Sequence, residues 1–279
     1  MSNLLSLRVE LKTPVFMGRS TAIYESMLIA KQQQQKRFVV LIDPDKLRMD
    51  NMEKIVELAI EAKVDYFFIG GSLIVNNMLD ECLKTIKRVC NIPLILFPGN
   101  SFQLSYRADA VLFMSLISGR NPELLIGKHV IAAPYIKLSP LEILPIGYML
   151  IDGGKPTTVS YISNTTPIPN TKDDVALCTA LAGQFLGLKG VFMDAGSGAE
   201  VPISESMIET VSNGIDIPLI IGGGISEPEK VLANVKAGAD VVVVGNALEK
   251  SPSLIIEMAA AAHSMNKINN SANSAYVKP

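Results

Sequence analysis

Histidine and cysteine are scarce in this chain of 279 residues, and long apolar runs and a surplus of positive charge are absent. The histidines are His129 and His263, and the cysteines are Cys82, Cys90 and Cys178, an odd number with no CxxC pair. They offer neither an ordinary zinc ligand set nor a disulfide framework, and they suit a reducing cytoplasm. The longest apolar stretches, such as 38–42 and 241–244, fall far short of the ~18 residues that span a bilayer. The opening segment carries Arg8, Glu10 and Lys12 among its apolar residues, with no h-region or cleavage pattern of a secretion signal. Lys and Arg number 25 against 27 Asp and Glu, which leaves no global field for a nucleic-acid backbone. No Gly-x-Ser-x-Gly elbow and no nucleotide P-loop is present, so those hydrolase and NTPase readings drop out.

Apolar character is abundant instead. Hydrophobic residues make up 48% of the chain and charged ones 19%. The mean hydropathy of +0.31 is high for a soluble chain and points to apolar surface beyond a core. Eight short apolar runs predict strands at 38–43, 65–70, 92–97, 108–114, 146–151, 190–194, 217–221 and 239–244. Helical patterns at 50–63, 73–90, 172–187, 203–213, 227–237 and 247–263 alternate with them, with Asp50 and Ser226 as expected N-caps and Gly187 and Gly238 as stops. Eight such units predict an α/β fold, a (β/α)8 TIM barrel of about 250 residues in one domain. Only ten residues separate Phe97 from Ala108, fewer than the dozen or so a helical crossover needs, so the third outer helix is missing or reduced. That omission leaves a trough beside strands three and four. Residues 1–37, with a helix at 20–36, read as an N-terminal extension on a barrel at 38–263, and 264–279 as a polar tail.

In a parallel barrel the chemistry collects at the carboxyl ends of the strands. After strand seven stands Gly222-Gly223-Gly224, after strand eight Gly245-Asn246, and after strand six Asp194-Ala195-Gly196-Ser197-Gly198. Glycines there let a backbone approach an anion closely, and the loops after strands seven and eight are where barrels most often hold phosphate. One such turn alone reads equally as a strand-to-helix turn. Strand one ends in Asp43-Pro44-Asp45-Lys46, fit for a hard cation or phosphate, or for a capped turn. Gly70-Gly71-Ser72 adds a hydroxyl that reads both as a ligand and as a helix N-cap. His129, among apolar residues, reads as structural. A long polar insertion at 152–170 follows strand five, where loops commonly build sites.

Taken together in this order, IDPDK at 42–46, FIGGS at 68–72, FPGNSFQLS at 97–105, GYMLIDGGKPTTVSYISNTTPIP at 147–169, FMDAGSGAEVP at 192–202, IGGGI at 221–225 and VGNALE at 244–249 resemble the geranylgeranylglyceryl phosphate synthases and the related bacterial heptaprenylglyceryl phosphate synthases. The resemblance runs from about residue 20 to 262, and the 152–170 insertion is similar to that of the larger geranylgeranyl branch. It implies a barrel without its third helix, in which a prenyl chain lies along the trough. It implies alkylation of sn-glycerol 1-phosphate by a polyprenyl diphosphate such as geranylgeranyl diphosphate, with diphosphate released. It places Mg²⁺ on Asp43 and Ser72, and glycerol phosphate on Phe192, Met193, Asp194, Ala195, Gly196, Ser197, Gly198, Gly223, Gly224, Gly245 and Asn246. Asp194 then orients the C3 hydroxyl or accepts its proton, while Lys46 or Lys155 assists the leaving diphosphate. The family's motif after strand six usually reads Tyr-Leu-Glu; here Phe192 lacks the phenol and Asp194 is one methylene shorter. The family forms dimers and hexamers, so a homo-oligomer is implied, with transient membrane contact for the lipid product. A longer heptaprenyl donor, a phosphosugar isomerase or cyclase, and a non-catalytic prenyl-binding barrel are the competing readings.

Overall fold

A computed structural model of the chain describes residues 20–45, 49–73, 76 and 78–266, with 49–51 as backbone only. Lys46, most of the 1–37 extension and most of the 264–279 tail therefore lie outside the described residues. Eight parallel strands close on themselves in sequence order: β1 (Arg37–Ile42), β2 (Tyr66–Ile69), β3 (Leu94–Leu96), β4 (Ala110–Leu116), β5 (Glu142–Leu150), β6 (Gly190–Asp194), β7 (Leu219–Gly222) and β8 (Val241–Val244). The expected TIM barrel is present. Successive strand residues point to opposite faces, so each strand feeds two cores. Val39, Phe68, Ile95, Leu112, Ile146 and Ile220 fill the barrel interior. Their neighbours, among them Val40, Phe67, Leu94, Val111, Val191 and Ile221, pack outward against the helices. Burial on both faces is why the strand sequences read as continuous apolar runs.

The outer layer consists of α2 (Met49–Glu61), α3 (Leu79–Val89), α4 (Lys128–Lys137), α5 (Thr158–Ser163), α6 (Asp173–Phe185), α7 (Glu205–Gly214), α8 (Pro228–Lys236), α9 (Asn246–Lys250) and α10 (Leu254–His263). No helix joins β3 to β4: residues 97–109 cross by turns alone, as the ten-residue gap requires. A helix α1 (Ala22–Gln32) precedes the barrel, and its Ile23 and Met27 close the interior from the end where the strands begin. Glu142, itself almost fully buried, accepts the N–H groups of Ile23 (2.9 Å) and Tyr24 (2.7 Å) and so caps that helix from 118 and more residues away.

Several expected boundaries move. The helix α4, with a π-helical turn at Glu123–Gly127 before it, has no counterpart in the sequence reading. Its apolar residues run all round, with Ala132 and Ile136 buried and Val130, Ile131 and Tyr135 exposed, and Pro134 interrupts the pattern. Pro252 divides the expected 247–263 helix into α9 and α10. Asp50 stands within α2 rather than before it, and the N-cap of α8 is Glu227, followed by Pro228, rather than Ser226. Ser72 is not the N-cap of α3, which begins at Leu79 after Met78. Gly187 (φ +86°) and Gly238 (φ +112°) do end their helices.

Candidate active site

The carboxyl ends of the strands open into a cavity of about 670 Å³. Its floor is aromatic. Phe192 of β6 stacks on Phe97 (5.4 Å between ring centroids) and meets Tyr148 edge-on (5.5 Å), with Phe68 completing the layer. Gly222, in register with Asp194 on the next strand, makes room for the Phe192 ring, since a Cβ there would stand 2.9 Å from its Cε2.

One wall consists of glycine turns. Gly196 (φ +90°), Gly198 (φ +76°), Gly223 (φ +82°) and Gly224 (φ +69°) adopt a left-handed backbone that L side chains disfavour. At Gly223 space is short as well: a Cβ would lie 2.5 Å from Asp194 Oδ1 and 2.6 Å from the Gly196 nitrogen. Gly245 precedes α9, and the Asn246 side chain donates to Ser197 Oγ (2.9 Å), tying the turn after β8 to the one after β6. A concave surface of backbone and small polar groups fits an anion.

Asp194 projects from the end of β6 into this wall and is nearly buried. Its Oδ1 accepts the Gly196 N–H (2.6 Å) and its Oδ2 accepts the Tyr148 hydroxyl (2.6 Å). Burial pushes the Asp194 pKa up, while the Tyr148 and Gly196 hydrogen bonds pull it down. Burial, and then the adjacent carboxylate, hold the Tyr148 phenol well above its ordinary value, so it remains a donor. A carboxylate inclined to take a proton beside an anion cradle suits orientation and deprotonation of a hydroxyl. Sequence reasoning missed Tyr148. The available signal was register, because Tyr148 pairs with Phe192 across β5 and β6.

On the opposite side, Asp43 at the end of β1 and Ser72 after β2 line the same cavity. Gly71 lies against the Asp43 carboxylate; a Cβ there would be 3.0 Å from Oδ2. Asp45 accepts the Asn76 N–H (3.2 and 3.1 Å to its two oxygens) and ties the two loops together. Among the described residues no group of three or more His, Cys, Asp or Glu converges as a metal cage. One carboxylate and one hydroxyl open to a cavity nonetheless fit Mg²⁺, which is held by few protein oxygens together with water and substrate phosphate.

The structure thus brings Asp43, Ser72, Phe192, Asp194, Gly196, Ser197, Gly198, Gly223, Gly224, Gly245 and Asn246 to one cavity. Met193 and Ala195 are the exceptions. Both side chains pack in the outer core, because alternation along the strand turns them away from Phe192 and Asp194. Lys155 does not line the cavity itself but pairs (3.1 Å) with Glu200, which does, so it stands at the exposed rim. His129 is buried behind β4, edge-on to Phe113 (4.5 Å), and burial lowers its pKa.

An apolar cavity of about 120 Å³ adjoins the polar one through Gly71, Ser72, Phe97 and Val159 and continues past Met114, Leu116 and Leu124. Through Pro98, Gly99, Met114 and Leu124 it meets a further trough of about 90 Å³ between residues 98–104 and α4, in the place of the absent helix. No helix among the described residues is long and apolar enough to cross a membrane.

Comparison with known proteins extends these observations. The chain is 58% identical over 241 residues to a geranylgeranylglyceryl phosphate synthase of Chitinophaga pinensis, covering 86% of this chain and 96% of that one. It is 39% identical to the synthase of the same name from Pyrococcus furiosus, covering 82% and 91%. The crystal structure of (S)-3-O-geranylgeranylglyceryl phosphate synthase from Thermoplasma acidophilum in complex with sn-glycerol-1-phosphate superimposes with a TM-score of 0.83 at 32% identity, over 88% of this chain and 100% of that one. The family model matches residues 31–263, all eight barrel strands included, and the chain belongs to the PcrB family.

Proposed function

We propose that this protein is a prenyltransferase that joins sn-glycerol 1-phosphate to geranylgeranyl diphosphate through an ether bond and releases diphosphate. The observation that carries the reading is the adjacency of a polar, glycine-walled cavity holding a buried carboxylate to an apolar channel leading into the vacant helix position. One substrate is small and anionic, the other long and apolar, and the character of the two linings, glycine turns and a carboxylate in one and apolar side chains in the other, matches that division. The names of the relatives support the same donor and acceptor.

The turns at Gly196–Gly198, Gly223–Gly224 and Gly245–Asn246 hold the phosphate of the acceptor. The Asp194 carboxylate receives the C3 hydroxyl and takes its proton as the C–O bond forms. Asp43 and Ser72 would hold Mg²⁺, which would supply counter-charge for the departing diphosphate. Phe97 and Phe192 present ring faces where positive charge grows on the allylic carbon, and the aromatic floor keeps water from it. Exposed Val130, Ile131, Tyr135 and Leu138 on and just beyond α4 give an apolar face for a homo-oligomer, a dimer or hexamer, and the lipid product leaves toward a membrane surface. Cys82, Cys90 and Cys178, none of them in a disulfide, accord with a cytoplasmic setting.

The test is incubation with Mg²⁺, labelled glycerol 1-phosphate and prenyl diphosphates of graded length, followed by organic extraction. Label in the organic phase, greatest with the geranylgeranyl donor and lost with chelator, is the expected result. A heptaprenyl optimum would replace the donor, binding without product would leave a lipid-storage barrel, and neither binding nor product would reopen the isomerase reading.

A further inference from the structure

The ten residues that stand in for the third helix do more than shorten a connection. Their backbone touches the loop after β2 over several residues: a Cβ on Gly70 would lie 2.1 Å from the Phe97 carbonyl oxygen, and one on Gly99 would lie 2.4 Å from that of Gly71 and 2.8 Å from that of Ser72. This contact needs glycine on both sides. Gln103 closes it. The side chain is 5% exposed and both of its ends are engaged, Oε1 accepting the Gly99 N–H (2.9 Å) and Nε2 donating to the Gly71 carbonyl (3.1 Å). The segment is pinned again further along, where Ser105 Oγ donates to Asp80 of α3 (2.5 Å) and Arg107 pairs with the same carboxylate (3.5 Å).

The outer side of the same segment belongs to the apolar volumes. Phe97, Pro98 and Gly99 line the channel beside the polar cavity, and Leu104 lines the trough beyond it. Gln103 lines none of these cavities. One short backbone thus forms the wall of the lipid path and the backing of Gly71 and Ser72, and Gly71 in turn lies against Asp43. We propose that residues 97–105 act as a strap that fixes the lipid channel and the Asp43–Ser72 site in one register, with Gln103 as the positioning residue that latches it. The proposal rests on the prenyltransferase reading for its ligand, and on the geometry above for the latch.

A single buried amide makes both hydrogen bonds, so removing it breaks the two ties between the loops together. Gln103→Leu removes both at similar volume, and Gln103→Met, which keeps the length and flexibility of the side chain, serves if the first variant does not fold. Hydrogen exchange reads the latch directly: the amides of residues 70–72, Phe97 and Gly99 exchange at least about tenfold faster in the variant, while those at 194–198 and 222–224 keep their rates. Calorimetry with an unreactive prenyl thiodiphosphate and Mg²⁺ reads the consequence. Its Kd weakens about tenfold, while the Kd of glycerol 1-phosphate, held by turns across the barrel, changes less than about twofold. Unchanged exchange at 70–72 overturns the proposal, as does a uniform rise over the barrel, or a loss of affinity shared equally by both ligands. If the unaltered protein does not bind the prenyl thiodiphosphate, the transferase reading fails, and the exchange pattern alone still decides the latch.

Discussion

Tyr148→Phe isolates one hydrogen bond in the reaction centre. The ring stays, with its contacts to Phe192 (5.5 Å) and Phe97 (6.2 Å), and only the hydroxyl that donates to Asp194 Oδ2 at 2.6 Å is removed. A hydrogen bond to an ionised acceptor contributes about 1.5–3 kcal/mol, and ~1.4 kcal/mol is a factor of ten, so the ionisation equilibrium of Asp194 moves toward the neutral acid by roughly ten- to hundredfold. The sign follows from the direction of each cause. Burial already raises the Asp194 pKa and Tyr148 opposes it, so loss of Tyr148 leaves burial opposed by Gly196 alone and raises it further. Because only the carboxylate accepts a proton, the acid limb of the profile of kcat/KM against pH shifts upward, while activity on the alkaline plateau falls less. The profile is measured for glycerol 1-phosphate from about pH 5 to about pH 9, with labelled ether product counted after extraction. An acid limb that stays in place, or moves to lower pH, refutes the claim that this hydroxyl sets the ionisation of the proton acceptor.

Asp194→Asn keeps a partner for both neighbours, since the amide oxygen accepts from Gly196 and the amide nitrogen donates to Tyr148, yet it lowers turnover at saturating substrates by at least about 10²-fold. The native pKa of Asp194 is raised, so the unaltered protein loses stability as pH climbs from the ordinary carboxylate range through that native value, and the variant does not. Melting curves at acid and neutral pH therefore show the variant gaining on the parent as pH rises. Gly223→Ala places a methyl 2.5 Å from Asp194 Oδ1 on a backbone with φ +82°, displaces the carboxylate, and lowers kcat/KM for glycerol 1-phosphate by about 10²-fold, as steady-state rates will read. Glu142→Gln weakens the remote cap on α1 and costs about 1–2 kcal/mol, a fall in Tm of roughly 2–4 °C for a chain this long, with turnover at 25 °C preserved.

Legibility in the sequence followed the range of the interaction. All eight strands were visible because apolar, β-branched runs between turns are local signals, and the absent helix because ten residues are too few to form one. At β5 the strand begins at Glu142 rather than 146, since Pro145 falls inside a run that pairs fully with β4 and hides its start. The helix α4 gave no periodic pattern, because its outward face is as apolar as its inward one. The family resemblance implied the whole run 192–198 for the site, Met193 and Ala195 included, although the twofold alternation of a strand already assigns their side chains to the opposite face from Asp194.

Tyr148 is the instructive case, because nothing within β5 marks it. Its position in the interior is a matter of parity, but its partner is fixed only by the stagger between β5 and β6, which sets Tyr148 opposite Phe192 and lets the phenol reach forward to Asp194. Phe192 lacks the phenol that the resembled motif carries on this strand, which puts any role of that hydroxyl at residue 192 aside. The barrel nonetheless presents one at the carboxylate, from the neighbouring strand and at hydrogen-bond distance. A motif lists the groups along one strand, whereas a closed barrel assembles its site across strands. Loss of a functional group from a motif therefore has to be judged against the side chains that register brings beside it, here Tyr148 against the lost phenol of residue 192.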